Sequence, residues 1–554
     1  MKIKVSELIV RYLERLGIEC IFGMPGAHIL PVYDAIYDSG IQAVLAKHEQ
    51  GAAFMAGGYT KASGKISACI ATAGPGATNL ITGIANAYAD RQPVLVITGE
   101  APTYIFGKGG LQESSGEGGS FDQVDLFRNI TRYSKTIERT DYLPQVLIQA
   151  TKALHSTNPG PVLLSIPFNV QKELVDEQIL DEIRIRPRLM SVPQNTGELD
   201  KLSELILNAS QPVIIAGYGC IRSGAQQIIG ELSDLLQIPV ASSLKGKGVI
   251  SEHSTLSLGS LGVTSSGHAY KYIVEKSDLL IVLGAGFNER TSYLWDKSLL
   301  TGRKIVQVDN DPGQLEKVYD SNLAISGDIK TVLSNLLESI RPLVKENGTT
   351  KVAGNIADLM DSSNGDYSIF KSGFAVAEAF FRKLAACFPA NTVVFDDNII
   401  FAQNFYPVSS GNRYYPNSGI SSLGHAIPAA IGAQFAEQRP TFAILGDGGF
   451  QMCCMEIMTA VNYDKPLNIV MFNNGAMGLI RKNQHQLYQQ RFINCDFINP
   501  DYSHLARSFG INYKQVTTIT DLDDLFEHYD LQQAINLIDI SIKKDAFPNY
   551  SSKR

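Results

Sequence analysis

The sequence predicts an α/β protein built from three doubly wound parallel-sheet units. Short apolar runs alternate with helix-length segments along almost the whole chain, which is the βαβ pattern. Two polar stretches, 175–197 (with Pro187 and Pro193) and 345–366, read as linkers and divide that alternation into three parts of similar size. The units are placed at 1–174, 190–343 and 367–554, with the outer two alike.

At 554 residues the chain has room for about three or four domains of ordinary size. With 44% hydrophobic and 19% charged residues it reads as soluble and globular, and no apolar run approaches a membrane span. A net charge of −7 leaves no electrostatic footprint for nucleic acid. Seven cysteines are scattered without CxxC or zinc-like spacing, which predicts reduced thiols. The amphipathic pattern over Met1–Leu16 is interrupted by Glu7, Arg11, Glu14 and Arg15, so it is no secretory core. A cytoplasmic protein is expected.

In the first unit, strands are predicted at Cys20–Phe22, Ala43–Ala46, Ser67–Ala71, Val94–Thr98 and Val162–Ser165, with helices over Gly51–Ser63 and Asn79–Ala89. The second unit opens with an apolar run at Pro212 and continues through those at Leu279 and Lys304–Asp309. In the third, Thr441–Leu445 reads as a buried strand ending in Gly446-Asp447-Gly448-Gly449. A helix is predicted over Phe450–Tyr463, then a strand over Asn468–Phe472 ending in Asn473-Asn474. The polar groups thus fall at the carboxyl ends of strands, where open parallel sheets bind ligands. Backbone N–H groups at Gly448 and Gly449 can reach a phosphate. Asp447, the Asn474 amide and the Ala476 carbonyl are hard oxygen donors, suited to Mg²⁺ whose shell substrate phosphates complete. A lone Gly-Asp-Gly is also a common turn.

Paired with Asn473-Asn474 at this spacing, the motif resembles the diphosphate–Mg²⁺ motif of thiamine diphosphate (ThDP) enzymes. Phe22-Gly23-Met24-Pro25-Gly26, His48-Glu49-Gln50-Gly51-Ala52-Ala53, Thr72-Ala73-Gly74-Pro75-Gly76-Ala77-Thr78-Asn79 and Asp90-Arg91-Gln92-Pro93-Val94 resemble the first domain of the acetolactate-synthase-like members, a group that includes pyruvate oxidases and decarboxylases. The resemblance spans nearly the whole chain. It implies that the units are pyrimidine-binding, central and diphosphate-binding domains. It implies ThDP contacts from Pro25, Gly26, Thr72 and Asn79, and from Ser421, Leu423, Gly446, Gly448, Gly449, Asn474, Ala476 and Met477. The metal would be Mg²⁺ on Asp447, Asn474 and Ala476.

The same resemblance makes Glu49 the carboxylate that hydrogen-bonds the aminopyrimidine and promotes deprotonation of the thiazolium carbon, although it also reads as a helix-entry glutamate. Leu423 stands where acetolactate synthases carry a methionine under the cofactor. Gln112 matches the glutamine that faces the cofactor-bound intermediate. The Gly/Ser-rich insert at 114–120 beside it is either a flexible loop over the site or a surface excursion.

Three departures bear on the substrate. His28 replaces a small residue, as in benzaldehyde lyase, and reads either as a proton shuttle or as a structural histidine. Asn483 stands where synthases carry an acceptor-pocket tryptophan, which makes a larger and more polar pocket. Val394–Ile400 lacks the family's Gly-Gln-His diphosphate contact. In the central unit Gly262, Asn288, Arg290, Asp309 and Asp328 resemble FAD-binding positions, although Asn288-Glu289-Arg290 departs from the usual Asp-Asp-Arg and some relatives bind ADP or nothing there. Arg290 also matches an arginine used on an acceptor carboxylate.

The resemblance therefore implies a homodimer or homotetramer with ThDP between chains. It would decarboxylate a 2-keto acid, pyruvate first, and add the hydroxyethyl carbanion to an acceptor carbonyl. Glu49, Gln112, His28 and Asn483 would do the chemistry. A C–C lyase, a simple 2-keto-acid decarboxylase and a non-catalytic ThDP-fold binding protein stay open as alternatives.

Overall fold

A computed structural model describes residues 1–185, 196–347, 369–370 and 373–550. Three six-stranded sheets, parallel at every pairing, carry helices on their faces. Covered sheets of this kind bury both faces of a strand, which is why Ser67–Ala71 and Leu279–Leu283 are buried at every position.

The first sheet runs Gln42–Leu45, Cys20–Gly23, Ser67–Ala71, Val94–Glu100, Val162–Pro167, Tyr133–Thr136. The third runs Arg413–Pro416, Val393–Asp396, Thr441–Gly446, Leu467–Asn473, Ile535–Ser541, Asn512–Val516. Numbered within each unit, both have the order 2-1-3-4-6-5, so the outer units are alike. The central sheet has the order 3-2-1-4-5-6, from Ser257–Leu261 through Pro212–Ala216 and Leu279–Leu283 to Leu323–Ser326. In each sheet the winding reverses beside the first strand. That crevice is where such sheets place ligands.

Several local expectations change. Lys2–Lys4 pairs antiparallel with Leu174–Asp176 before the helix Val5–Arg15 begins, so the stretch read as a linker from Val175 starts as structure. Leu180 and Ile183 beyond it are buried in the first unit's core. The remainder of that stretch, 186–195, and residues 348–366 of the second linker lie outside the described residues. The helix expected over Phe450–Tyr463 begins earlier, at Asp447, and is broken by a 3₁₀ turn at Cys454–Glu456 before resuming at Ile457–Asn462. All seven cysteines are free. Among the described residues no helix is long and apolar enough to cross a membrane.

The outer units meet along two helices, Glu49–Ser63 and Ala426–Ala436, that approach backbone to backbone. A β-carbon on Gly58 would lie 1.9 Å from the Ala429 carbonyl oxygen, and one on Gly432 would lie 2.0 Å from that of Met55. Only glycine permits that contact. The edge strand Gln42–Leu45 is covered by the third unit: the Tyr463 hydroxyl accepts from Leu45 N (2.9 Å) and donates to Ala43 O (3.2 Å). Lys61 of the first unit and Lys245 of the second both reach the buried Asp90 carboxylate, at 2.8 and 2.5 Å.

Candidate active site

The predicted site residues gather into two clusters at the switch points of the outer sheets. In the third unit, a cavity of about 280 Å³ opens between the ends of Val393–Asp396 and Thr441–Gly446. Leu423, Gly446, Asp447, Gly448, Gly449, Asn474, Ala476 and Met477 line it, joined by Asp397 and a mostly apolar wall that includes Ile399, Phe401 and Ile480.

Asp447 is 1% exposed. Its Oδ2 accepts from Gly475 N (2.6 Å), Asn499 Nδ2 (2.8 Å) and Asn474 N (3.2 Å), while among the described residues Oδ1 accepts only from Gly448 N (3.0 Å). Burial pushes the carboxyl above its ordinary range despite those donors. A cation beside it would favour the ionised form, and Oδ1 is the less occupied oxygen. Among the described residues no group of three or more His, Cys, Asp or Glu is placed to hold a metal. The donors here are one carboxylate, one amide and one carbonyl, a set that fits Mg²⁺ with phosphate oxygens completing the shell.

Asp397 caps the helix under the cavity. Its carboxylate accepts from Gly424 N (2.7 Å), Ala426 N (2.9 Å) and His425 N (3.2 Å). It stands in the stretch that departs from the family pattern, and burial together with Asp396 pushes it up to about 7.

The second cluster lies in the first unit, beyond the ends of Cys20–Gly23 and Ser67–Ala71. Glu49 opens its helix, and its Oε2 accepts from Asn79 Nδ2 at 2.9 Å. His28 Nδ1 meets Gln112 Oε1 at 3.3 Å, and Thr72 Oγ1 donates to the same oxygen at 3.4 Å. His28 N donates to Thr72 Oγ1 (3.3 Å), and Gly26 packs against the Thr72 side chain. With Gln112 Oε1 as acceptor, His28 carries its proton on Nδ1 and leaves Nε2 as a base. Burial lowers the His28 pKa and so favours this neutral ring. Pro25 is exposed beside the cluster.

Gln112 holds φ +53°, a strained backbone for a non-glycine residue. The next residues secure it. Glu113 accepts from Gly110 N (2.9 Å), and Ser114 donates from N (3.0 Å) and Oγ (2.8 Å) to the buried Glu100 carboxylate. The insert then closes on itself through a bridge between Ser115 and Asp122 and a bond from Gly116 N to Phe121 O (3.2 Å). It is a loop tied at its base.

Other expected residues fall elsewhere. Asn483 is on the helix Gly478–Leu487, whose first turn lines the cavity, but it is not itself among the lining residues. Ser421 lines a different cleft, of about 550 Å³, between the units, together with Asn288, Arg290 and Gly284 at the central switch point. Gly262 packs against the Arg290 carbonyl at the rim of that group. Asp309 and Asp328 do not line it: Asp309 accepts from Asp311 N (2.9 Å), and Asp328 caps a helix through Thr331. Of the five residues expected at an FAD, Asn288 and Arg290 line this cleft. Arg290 also reaches the third unit, donating to Asn398 Oδ1 at 2.9 Å.

Sequence reasoning missed Asn499, Asp397, Glu100 and Ser114. Asp397 and Ser114 lay inside stretches already singled out. Nothing local marks Asn499 or Glu100.

Models of the thiamine pyrophosphate enzymes match in series: the N-terminal TPP-binding domain at 3–124, the central domain at 199–336 and the C-terminal TPP-binding domain at 397–540. The chain is 32% identical to a probable acetolactate synthase large subunit of Methanococcus aeolicus, over 96% of this chain and 90% of the relative. It is 31% identical to the acetolactate synthase isozyme 2 large subunit of Escherichia coli K12 (92% and 90%), and 32% identical to the large subunit of Lactococcus lactis (94% and 89%). Three domain matches in order, the full-length similarity and the two motif clusters together make this chain a thiamine pyrophosphate enzyme of the acetolactate synthase family.

Proposed function

We propose that the chain works as a homo-oligomer that decarboxylates a 2-keto acid, pyruvate first, and adds the two-carbon unit to an acceptor carbonyl. ThDP and Mg²⁺ would lie between the first unit of one copy and the third unit of another. The observation that carries this reading is the separation of the two clusters. Glu49, His28 and Gln112 line no part of the cavity around Asp447, although the two ends of one cofactor need both. Ile493 and Ile498, in the loop leading to Asn499, stand 70% and 96% exposed, apolar surface that a second copy would cover.

When bound, ThDP supplies the electron sink that lets a 2-keto acid lose carbon dioxide. Asp447, Asn474 and Ala476 would hold its metal, and Leu423 would support its rings. Asn79 orients Glu49 through one oxygen and leaves the other for the aminopyrimidine. His28 Nε2 and the Gln112 amide can move or hold a proton at an acceptor carbonyl. The apolar wall excludes water, which favours transfer over protonation. His28 and Asn483 favour an acceptor larger or more polar than a second pyruvate. A nucleotide in the central cleft, FAD included, rests on Asn288 and Arg290 alone. A flavin spectrum of the purified protein tests it.

The test of the function is proton NMR of the protein with ThDP, Mg²⁺ and pyruvate. Acetolactate supports the synthase reading, and consumption only after an added ketone or aldehyde supports a dedicated cross-ligase. Acetaldehyde alone would establish a decarboxylase instead, and no consumption would remove pyruvate as donor.

A further inference from the structure

Glu456 is a buried carboxylate that the mechanism above does not use. It is 3% exposed and sits at the end of the 3₁₀ turn that breaks the helix after the Gly-Asp-Gly motif. Its Oε1 crosses to the first unit and accepts from His48 N (2.8 Å) and Lys47 N (2.9 Å), the two residues that precede Glu49. Its Oε2 accepts from Thr459 Oγ1 (3.0 Å). Gly51, in the first turn of the Glu49 helix, leaves the room: a β-carbon there would lie 2.3 Å from Glu456 Oε1.

Thr459 and Tyr463 continue the same helical face. Thr459 Oγ1 lies 3.4 Å from Leu45 O, and the Tyr463 hydroxyl bonds Leu45 N and Ala43 O. Positions 456, 459 and 463 share one side of a helix, so the third unit holds the backbone from Ala43 to His48 at a row of points. Glu49 is the next residue. Two N–H groups at the half-buried helix entrance are satisfied by a single oxygen. A hydrogen-bonded carboxylate is a strong acceptor for such a task.

We infer that Glu456 is the positioning residue for Glu49: it fixes the entrance of the Glu49 helix through two backbone hydrogen bonds, and Gly51 is glycine to admit it. The inference rests on Glu49 acting at the aminopyrimidine, as proposed above. Glu456 touches neither substrate nor cofactor. Its effect is on where the Glu49 carboxylate points.

The test uses the full-length protein loaded with ThDP and Mg²⁺ and follows deuterium exchange at the thiazolium C2–H, which needs no substrate. Glu49→Gln is the reference; if it exchanges at the wild-type rate, the Glu49 assignment itself is wrong. Given a slow reference, Glu456→Ala should slow exchange by about tenfold or more, with ThDP affinity within about threefold of wild type, as expected for a displaced catalytic group. Glu456→Gln keeps a carbonyl oxygen for the two N–H groups and should recover most of the rate. Gly51→Ala should match Glu456→Ala, and the double variant should be no slower than either single, because the two residues act through one contact. Without cofactor, amide exchange over 45–51 should rise in Glu456→Ala and stay low in Glu456→Gln. Wild-type C2–H exchange in Glu456→Ala, a Gln variant as slow as the Ala one, or multiplying effects in the double variant each overturn the inference. Should Glu456→Ala not fold, Glu456→Gln and Gly51→Ala still decide it.

Discussion

Asn499 donates one amide nitrogen to two acceptors, Asp447 Oδ2 and Asn473 Oδ1, both at 2.8 Å. It orients the carboxylate that would hold the metal, and outer partners of this kind are worth about 10- to 100-fold in metal affinity. Asn499→Ala should therefore weaken Mg²⁺ by about that factor, and Asp447→Asn by more; Mn²⁺ titration by electron paramagnetic resonance with ThDP present reads both. Ser114→Ala removes the hydroxyl bond to Glu100 while leaving the backbone one, and should cost about 1–3 kcal/mol in urea unfolding, because a buried carboxylate loses a partner. It should also lower kcat more than it raises KM, since Gln112 would no longer be held in its strained conformation. Asp397 gives a pH dependence with a definite sign. Its folded value is above its unfolded one, so between the ordinary carboxyl range and about 7 the folded chain keeps a proton that the unfolded chain has lost. Its contribution to stability is thus favourable at low pH and falls as pH rises through that window. Asp397→Asn should reduce the fall, as denaturant unfolding from pH 5 to pH 8 (about the window named) will show.

Among the elements, the Glu49–Ser63 and Ala426–Ala436 pair has the least tolerance. Gly58→Ala forces a β-carbon onto the Ala429 carbonyl and should cost about 1–3 kcal/mol or more in unfolding free energy, by overpacking. The paired strands that read clearly from sequence are the apolar ones, such as Ser67–Ala71 and Lys304–Asp309, because burial on both faces leaves a continuous signal. Tyr133–Thr136 went unread: it is an edge strand, Tyr-Ser-Lys-Thr, and none of its residues is fully buried. Val240–Ser243 and Leu323–Ser326 are also short and end in serine. The ligand-facing turns were legible because a glycine or an oxygen donor at a strand end leaves a local motif. Glu456 and Asn499 were not, for their meaning lies in partners elsewhere: His48 is 408 positions from Glu456, and Asp447 is 52 from Asn499. No window along the chain contains both ends of the first contact.

For the whole molecule, the proposed function has the two clusters divide the labour of one site between copies. Glu49→Gln and Asp447→Ala should each be inactive alone. Co-expressed in equal amounts they should recover about a quarter of wild-type activity: half the dimers are mixed, and each mixed dimer has one sound site of two. No recovery in mixed dimers separated by affinity tags would place both clusters at one cofactor within one chain.

The Tyr463 hydroxyl on the strand Gln42–Leu45 has a consequence for biosynthesis. Leu45 and Tyr463 are 418 positions apart, so at ordinary translation speeds of about 5–20 residues per second the nascent first sheet waits roughly 20–80 s for its cover. Throughout that interval its outer strand presents unpaired N–H and C=O groups, a template for strand addition by a neighbouring chain on the same polysome. A fragment ending at 185 should aggregate at concentrations where the full chain stays dispersed. The demand this protein makes on holding chaperones is thus set by how far apart in the gene these two residues are encoded.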